Sequence, residues 1–186
     1  DGASNSVADT VTITSATEVG GIISSDTTWR LINSPYLITS EIQTAYGITL
    51  QIDSGVKVIG NGGNIKVFGT LNAIGTVDSK IIFDNVNIVP GNGGSSQQFN
   101  LNIDFAEITS GGIYYPTGNA IYGKISLKNS VLTNIGYMYI WYPVANSYIE
   151  KNIFINSGGI SVGLSGGNSV TISNNAFYGS TGDNGT

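Results

Sequence analysis

The sequence contains no cysteine and no histidine, and Arg30 is its single arginine. Without these side chains it cannot form a thiolate zinc site, a Ser-His-Asp or Cys-His triad, or a haem or iron–sulfur ligand set. The absence of cysteine also excludes a disulfide framework, which fits large bacterial secreted proteins that dispense with disulfides. The composition leaves open whether the protein is an enzyme and favours a non-catalytic one.

Charged residues are also scarce, at 10% of the chain, with 12 Asp and Glu against 7 Lys and Arg. Nucleic-acid binding depends on neutralising phosphates with basic residues, so the net charge of −5 argues against a nucleic-acid partner. No apolar run approaches the roughly 18 residues of a membrane span, so we expect no membrane partner. With 40% hydrophobic residues in 186, the chain can fill the core of one folded domain.

Helix patterns are nearly absent, because apolar residues do not recur at three-and-four spacing. Short runs alternate apolar and polar residues instead, as in 125–127 and 170–172, and each run is bounded by Gly, Asn, Asp or Ser. Alternation with a period of two predicts β-strands. Such strands suit either hairpins in a sandwich or barrel or the coils of a solenoid, and a longer period distinguishes the two.

A longer period is present. A motif that begins and ends on an apolar residue recurs at 83–88, 103–108, 127–132, 149–154 and 172–177, at intervals of about 20 to 24 residues. Upstream, Ile48, Ile65 and Ile81 open similar runs at shorter intervals of about 16 to 17 residues. The pattern predicts coils that are narrow at the N-terminal end and wider beyond residue 90.

A period of about 16 to 24 residues without helices is typical of a parallel β-solenoid, whose strands stack about 4.8 Å apart. We therefore predict an all-β fold, a single-stranded right-handed parallel β-helix of about seven coils over residues 28–178. The runner-up is an antiparallel sandwich. Residues 1–27 are predicted to be an N-terminal linker or cap, and residues 179–186 a linker or tag-like tail. The predicted inward residues are Leu50, Ile52, Val67, Phe83, Ile88, Ile103, Ile108, Leu127, Leu132, Ile149, Phe154, Ile172 and Phe177.

Polar residues recur at one position of the later coils. Ser130, Asn152 and Asn175 occupy it on three successive coils, with Asn129 and Asn174 beside them. Asparagine tolerates left-handed backbone geometry and can bond to its copies on stacked strands. We predict that these residues form a structural ladder at a corner of the coil and are not ligands.

Three elements between residues 47 and 84 resemble a known family: GVKV at 55–58, GTLNAIGT at 69–76 and KIIF at 80–83. They are similar to the N-terminal coils of the right-handed parallel β-helix repeat proteins of bacterial surface and secreted polypeptides. The later elements SVLTN, NIFIN and NNAF are similar to the generic repeat of that family. The resemblance covers residues 28–178 and implies an extracellular, secreted or cell-surface protein. The family includes adhesins, polysaccharide lyases and hydrolases, phage tail spikes and carbohydrate-binding modules, so it leaves the function open.

Enzymes of that family use Arg or Lys as base with Asp-bound calcium, or a cluster of Asp residues. The motif predicts one outward column of Asp84, Asp104, Lys128, Glu150 and Ser173. Asp84 and Asp104 on adjacent coils would be the best catalytic pair, or could share a calcium ion. The favoured interpretation is a structural column in which Lys128 pairs with Glu150, so we assign no catalytic residue, no metal site and no cofactor, with calcium as the candidate ion.

Aromatic residues are concentrated in one part of the chain, where seven of the ten tyrosines lie between residues 114 and 148 together with Trp141. The segment 137–142 alternates, so one side of that strand would show rings to solvent. Flat rings with a polar tip stack on sugars and bond to their hydroxyls. Core or loop packing in the wide coils and a protein interface remain alternatives. The predicted carbohydrate-binding residues are Tyr114, Tyr115, Tyr137, Tyr139, Trp141 and Tyr142.

These observations predict a non-catalytic β-helix module of a secreted or cell-surface protein that binds polysaccharide or mediates adhesion. The alternative is a fragment of a polysaccharide lyase or glycoside hydrolase. A polysaccharide or cell-surface glycan is the expected partner, and its chain would follow rings repeated from coil to coil. Nothing apolar follows Phe177 to close the last coil, which predicts end-to-end self-association or further domains of the same chain.

Overall fold

A computed structural model describes residues 15–91, 98–113, 123–164 and 168–179. The described ranges contain one 3-10 helix, Leu31–Asn33, and no helix that is long and apolar enough to cross a membrane. In chain order the strands are β1 (Thr17–Ile23), β2 (Thr27–Trp29), β3 (Tyr36–Thr44), β4 (Thr49–Ile52), β5 (Lys57–Ile59), β6 (Asn64–Val67), β7 (Thr70–Ile74), β8 (Ile81–Asp84), β9 (Asn87–Pro90), β10 (Phe99–Asp104), β11 (Ala106–Thr109), β12 (Gly112–Ile113), β13 (Gly123–Lys128), β14 (Val131–Thr133), β15 (Met138–Trp141), β16 (Ser147–Glu150), β17 (Ile153–Ile155), β18 (Ile160–Gly163), β19 (Val170–Ser173) and β20 (Ala176–Tyr178).

The strands stack in parallel on three faces, and one coil is one passage of the chain over all three. The first face is β2-β4-β7-β10-β13-β16-β19, and the second is β5-β8-β11-β14-β17-β20. The long strand β3 belongs to both the second and the third face. The third face continues with β6, β9 and β12, and in the next two coils it is formed by the pair β15-β18. Every pairing between described strands is parallel, so the predicted all-β solenoid is confirmed and the antiparallel sandwich is wrong.

The number of coils differs slightly from the prediction. The solenoid has about six coils, from β2 to β18, and not seven. Strand β1 precedes them and pairs with β3, so the sheet already includes part of the segment 1–27 that the sequence marked as a linker or cap. Strands β19 and β20 follow the sixth coil. Residues 1–14 and 180–186 lie outside the described residues, and the right-handed winding stays a prediction.

The core lies inside the coils because alternate residues of each strand point inward. In β10, for example, Phe99, Leu101 and Ile103 are buried and the residues between them are half-buried on the outside. Burying such a side chain contributes roughly 1.5–3 kcal/mol. Eleven of the thirteen predicted inward residues are buried. The other two, Ile172 and Phe177, are 44% and 46% exposed, because no described strand follows β19 and β20 to cover them.

The predicted asparagine ladder is confirmed at the corner between the first and second faces. The backbone N–H of Ser130 donates to Asn152 Oδ1 at 3.0 Å, and the N–H of Asn152 donates to Asn175 Oδ1 at 3.0 Å. The Asn152 amide also donates to the Leu127 carbonyl at 2.9 Å. Four residues with positive φ turn this corner, and two of them are asparagine, which tolerates the αL conformation: Phe105, Asn129, Lys151 and Asn174.

The predicted coil lengths are correct in the later coils and wrong near the N-terminus. Phe83 lies in register with Ile108 on the second face, and not with Ile103. On the third face, Ile42, Ile65 and Ile88 follow one another in register, at intervals as long as those of the later coils. The shorter intervals predicted from the sequence were counted between runs that lie on different faces. Strands on all three faces alternate apolar and polar residues in the same way, so the sequence does not distinguish them. The solenoid is therefore not narrow at its N-terminal end.

Neighbouring coils approach most closely at glycines, which gives a testable prediction. A Cβ added to Gly111 would overlap the Val86 carbonyl of the preceding coil, whereas one on Gly136 would meet no atom within 4 Å. Because the backbone must move to admit the methyl group, Gly111→Ala should lower the free energy of unfolding by about 1–3 kcal/mol in urea. The control Gly136→Ala should change it by less than about 0.5 kcal/mol. Equal stability of the two variants would contradict the close approach of these coils.

Candidate functional site

The exposed rings on β15 and at the residue before it are the candidate functional site. Tyr137, Tyr139 and Trp141 are each 43% or 44% exposed, while Met138 and Ile140 between them are buried. The strand alternates because the inner residues fill the core and the outer ones face solvent. We call Tyr137, Tyr139 and Trp141 the aromatic row. Packing of these three rings in the core, one of the alternatives left open by the sequence, does not occur.

The aromatic row runs along the strand, across the axis of the solenoid. The rings occupy every second residue, so they are spaced at about 6.6 Å and cover about 13 Å from end to end. The centroids of the Tyr137 and Tyr139 rings lie 5.9 Å apart with their planes tilted by 32°. The row is therefore continuous over the length of β15.

The following coil places only small residues beside the row. Strand β18 pairs with β15 so that Tyr139 faces Ser161 and Trp141 faces Gly163, and the same register sets Tyr137 against Gly159. We call Gly159, Ser161 and Gly163 the small-residue strip.

The rings at the two ends of the row lie against the glycines of the strip. A Cβ on Gly163 would lie 3.5–3.7 Å from three adjoining atoms of the Trp141 indole, and one on Gly159 would lie 3.3 Å from Tyr137 Cε1. Nearly equal distances to three ring atoms indicate that the flat face of the indole covers Gly163. Trp141 as a whole remains 44% exposed.

The remaining predicted site residues do not extend the row. Tyr142 has a φ of 55°, is half-buried and meets the Trp141 ring edge-on, with centroids 6.3 Å apart. It therefore ends the row instead of adding a ring to its face. Tyr114 and Tyr115 lie outside the described residues. The following coil carries the small-residue strip, so the aromatic row is not repeated there.

The predicted charge column is only partly correct. Asp104, Lys128, Glu150 and Ser173 are in register on the first face, where Lys128 Nζ lies 3.4 Å from Glu150 Oε2 and Ser173 Oγ donates to the same carboxylate at 3.1 Å. Asp84 lies on the second face instead. The predicted Asp84–Asp104 pair is wrong, because the 83–88 motif turns a different corner from the motif at 103–108.

The carboxylates that the sequence singled out, and that of Glu41, are bound in structural pairs. Asp84 forms a 2.9 Å ion pair with Lys57, and Asp104 accepts a 2.7 Å hydrogen bond from the Asn129 amide. Lys66 forms a 2.9 Å ion pair with Glu41, and its hydrogen bond lowers the pKa of the Glu41 carboxyl, which is the reverse of what a general acid needs. No group of three or more Asp or Glu side chains in the described ranges could hold a metal ion.

The small-residue strip was not predicted, although the spacing of residues in the sequence indicates it. The alternation Gly159, Ser161, Gly163 follows Tyr137, Tyr139 and Trp141 at the interval that separates the later coils. Aligning the two segments at that interval would have set each small residue beside a ring. Composition alone did not show this, because glycine is frequent in loops throughout the chain.

No protein-family model, curated protein or solved structure gives a significant match to this chain. The parallel β-solenoid that the resemblance implied is present, but no match supports a particular bacterial family. The chain is therefore assigned to a fold and not to a family.

Proposed function

We propose that this protein is a non-catalytic module of a secreted or cell-surface protein and binds polysaccharide through the aromatic row. The observation that carries the proposal is three exposed rings in line along β15 and the residue before it, Tyr137, Tyr139 and Trp141. The same surface serves adhesion if the polysaccharide belongs to a cell surface.

Aromatic rings suit sugars because a pyranose has an apolar face of C–H groups and a rim of hydroxyls. The flat rings pack against the apolar face, and the Tyr137 and Tyr139 hydroxyls can bond to the rim. Each stacked ring contributes about 1 kcal/mol, so three rings by themselves support only millimolar affinity. Such affinity is sufficient where many copies of a module meet a repetitive polymer.

The strand holds the rings in place before any ligand binds. Met138 and Ile140 anchor β15 in the core, and the N–H groups of Met138 and Tyr142 donate to the Gly159 and Gly163 carbonyls at 3.0 and 2.8 Å. A rigid platform loses little conformational entropy on binding, which favours recognition by few contacts.

The alternative, a fragment of a polysaccharide lyase or hydrolase, has no observation in its favour among the described residues. Asp84 and Asp104, its best catalytic pair, lie on different faces. Arg30, the single arginine, follows β2 in the first coil, four coils before the aromatic row.

Binding to a panel of insoluble polysaccharides and a glycan array tests the proposal. Trp141→Ala should weaken the retained binding by about 5–10-fold, because it removes one stacked ring worth about 1 kcal/mol. Adding Tyr139→Ala should reduce it further, to about 25–100-fold. Tyr46→Ala is the matched control, since Tyr46 is 43% exposed but lies outside the row, and it should bind as the wild type does.

Two results would reject the proposal. The first is a wild-type protein that binds no glycan. The second is binding that survives the Tyr139→Ala, Trp141→Ala double substitution unchanged while the variant stays folded by circular dichroism. In either case a spacer or scaffold role would replace the binding role.

A further inference from the structure

We infer that the ligand of the aromatic row is an uncharged polysaccharide, and that its chain lies along β15 and not along the axis of the solenoid. The inference rests on the proposed function and narrows it to one class of polymer. Its two parts come from different observations, the charges around the row and the shape of the coil beside it.

The row lies in a long uncharged part of the chain. Residues 129–149, which contain β14 and β15, include no Asp, Glu, Lys or Arg. Neither do residues 152–182, which contain β17 to β20, or residues 108–122, which precede β13. The strand before the row, β14, therefore carries no charge, and Glu150 of the strand after it, β16, lies on the first face.

The other charges of the described residues lie away from the row. Lys66 and Glu41 are on the third face, at least three coils before β15, or about 14 Å along the axis, and they neutralise each other at 2.9 Å. Lys128 and Glu150, in the coils of the row, pair with each other on the first face, and Lys151 lies at the corner between the first and second faces. At physiological ionic strength, exposed charges are screened over about 8 Å.

An acidic polysaccharide would find no partner on such a face. Recognition of carboxylates relies on charge-assisted hydrogen bonds from Arg or Lys. A carboxylate that is partly desolvated on aromatic rings without such a donor loses hydration and gains little in return. Uncharged hydroxyls, in contrast, can bond to the Tyr137, Tyr139 and Ser161 hydroxyls, so the chemistry of the face selects for a neutral polymer.

Lys124 is the cation that most directly challenges this inference. It follows Gly123, which forms a bridge with Pro143, and Pro143 comes two residues after Trp141. Lys124 nevertheless belongs to β13 on the first face, beyond the end of the row. A role in binding an acidic polymer would make Lys124 essential, which supplies a direct test.

The shape of the next coil sets the direction of the chain. A polymer that runs along β15 meets a ring at every second residue, and the small residues of the strip add no large side chain beside it. A polymer that runs along the axis towards the C-terminal end would leave the rings after one coil, because Gly159, Ser161 and Gly163 follow. On the side that the structure describes, stacking is therefore available along the strand and not along the axis.

The experiment compares soluble neutral polymers (glucan, mannan, xylan, galactan) with polygalacturonate, alginate and hyaluronate by titration calorimetry and affinity electrophoresis. We expect binding to at least one neutral polymer and none detectable to the acidic ones. The dissociation constant should change less than about twofold between about 0.01 M and about 1 M salt, where the screening length falls from about 30 Å to about 3 Å. Lys124→Ala should bind as the wild type does.

A gain of function tests the same point without relying on loss of binding. Ser161→Lys places a cation beside Tyr139 on an exposed position of β18, and it should create salt-sensitive binding to polygalacturonate. Ser161→Gln, of similar length and no charge, should not. For the direction of the chain, Ser161→Tyr adds a ring to the following coil beside Tyr139. A polymer that lies along the strand should not bind this variant more tightly than the wild type.

The outcomes separate this inference from the proposed function. The inference that the ligand is neutral would be overturned by either of two results: stronger wild-type binding to an acidic polymer than to every neutral one, or loss of binding in Lys124→Ala. The aromatic row could still bind sugar in both cases. Tighter binding of the neutral polymer by Ser161→Tyr than by the wild type would overturn the direction of the chain. Absence of binding to all polymers would overturn the proposed function itself, and this inference with it.

Discussion

Replacing Phe83 with alanine will lower the free energy of unfolding by about 3–5 kcal/mol, the range for a fully buried aromatic ring. Phe83 is completely buried in β8, in register with Val58 of the preceding coil and Ile108 of the following one. In a solenoid each coil contacts only its neighbours, so a cavity at this position weakens both interfaces of the third coil. Denaturation in guanidinium chloride measures the loss.

The two tryptophans make this measurement informative. Trp29 is buried in the first coil and Trp141 is exposed in the fifth. Tryptophan fluorescence therefore reports on these two coils, while circular dichroism reports on the strands of the whole solenoid. The control Ile74→Ala removes an exposed side chain from the neighbouring strand and should cost less than about 1 kcal/mol. A loss for Phe83→Ala no larger than for Ile74→Ala would show that the interior of the coil is not packed as described.

Replacing Asn152 with leucine, which has nearly the same shape, will cost about 2–5 kcal/mol, because each buried backbone group left without a partner costs about 1–3 kcal/mol. Asn152 is 1% exposed, and its side chain accepts from the Ser130 N–H and donates to the Leu127 carbonyl. Leucine leaves both of these backbone groups buried and unsatisfied. Thermal and urea denaturation measure the effect.

A surface asparagine supplies the control for this substitution. Asn64 lies on the outside of β6 and bonds to the Asn87 and Glu41 side chains at 3.2 and 3.3 Å. These partners reach solvent, so Asn64→Leu should cost less than about 1 kcal/mol. If Asn152→Leu were as stable as Asn64→Leu, the ladder would not stabilise the corner and the asparagines would need another explanation.

Local patterns in the sequence predicted the fold correctly where one motif repeats on one face. Ile103, Leu127, Ile149 and Ile172 form a single column on the first face, at the predicted spacings. The prediction failed for Phe83, because its strand has the same alternation as a strand on the first face. Periodicity of two identifies a strand and its inner side, but it carries no label for the face on which the strand lies.

Part of the candidate site was likewise predictable from the sequence, and part was not. The alternation of residues 137–142 was sufficient to predict that Tyr137, Tyr139 and Trp141 share one side of a strand. It did not predict that Tyr142 leaves this side, because the positive φ at that residue depends on the turn that leads to Pro143. Nor did it show the small-residue strip beside the rings, which depends on the register between β15 and β18.

The sequence by itself determined the class of fold, the inner residues of most strands, the asparagine corner and the exclusion of histidine and cysteine chemistry. These features follow from composition and from contacts near in the chain or repeated at a constant spacing. Only the tertiary structure decided which strand lies beside which, because register depends on packing between residues a whole coil apart and on loops of unequal length. That register separated Asp84 from Asp104, set the aromatic row across the axis and placed glycines against its rings.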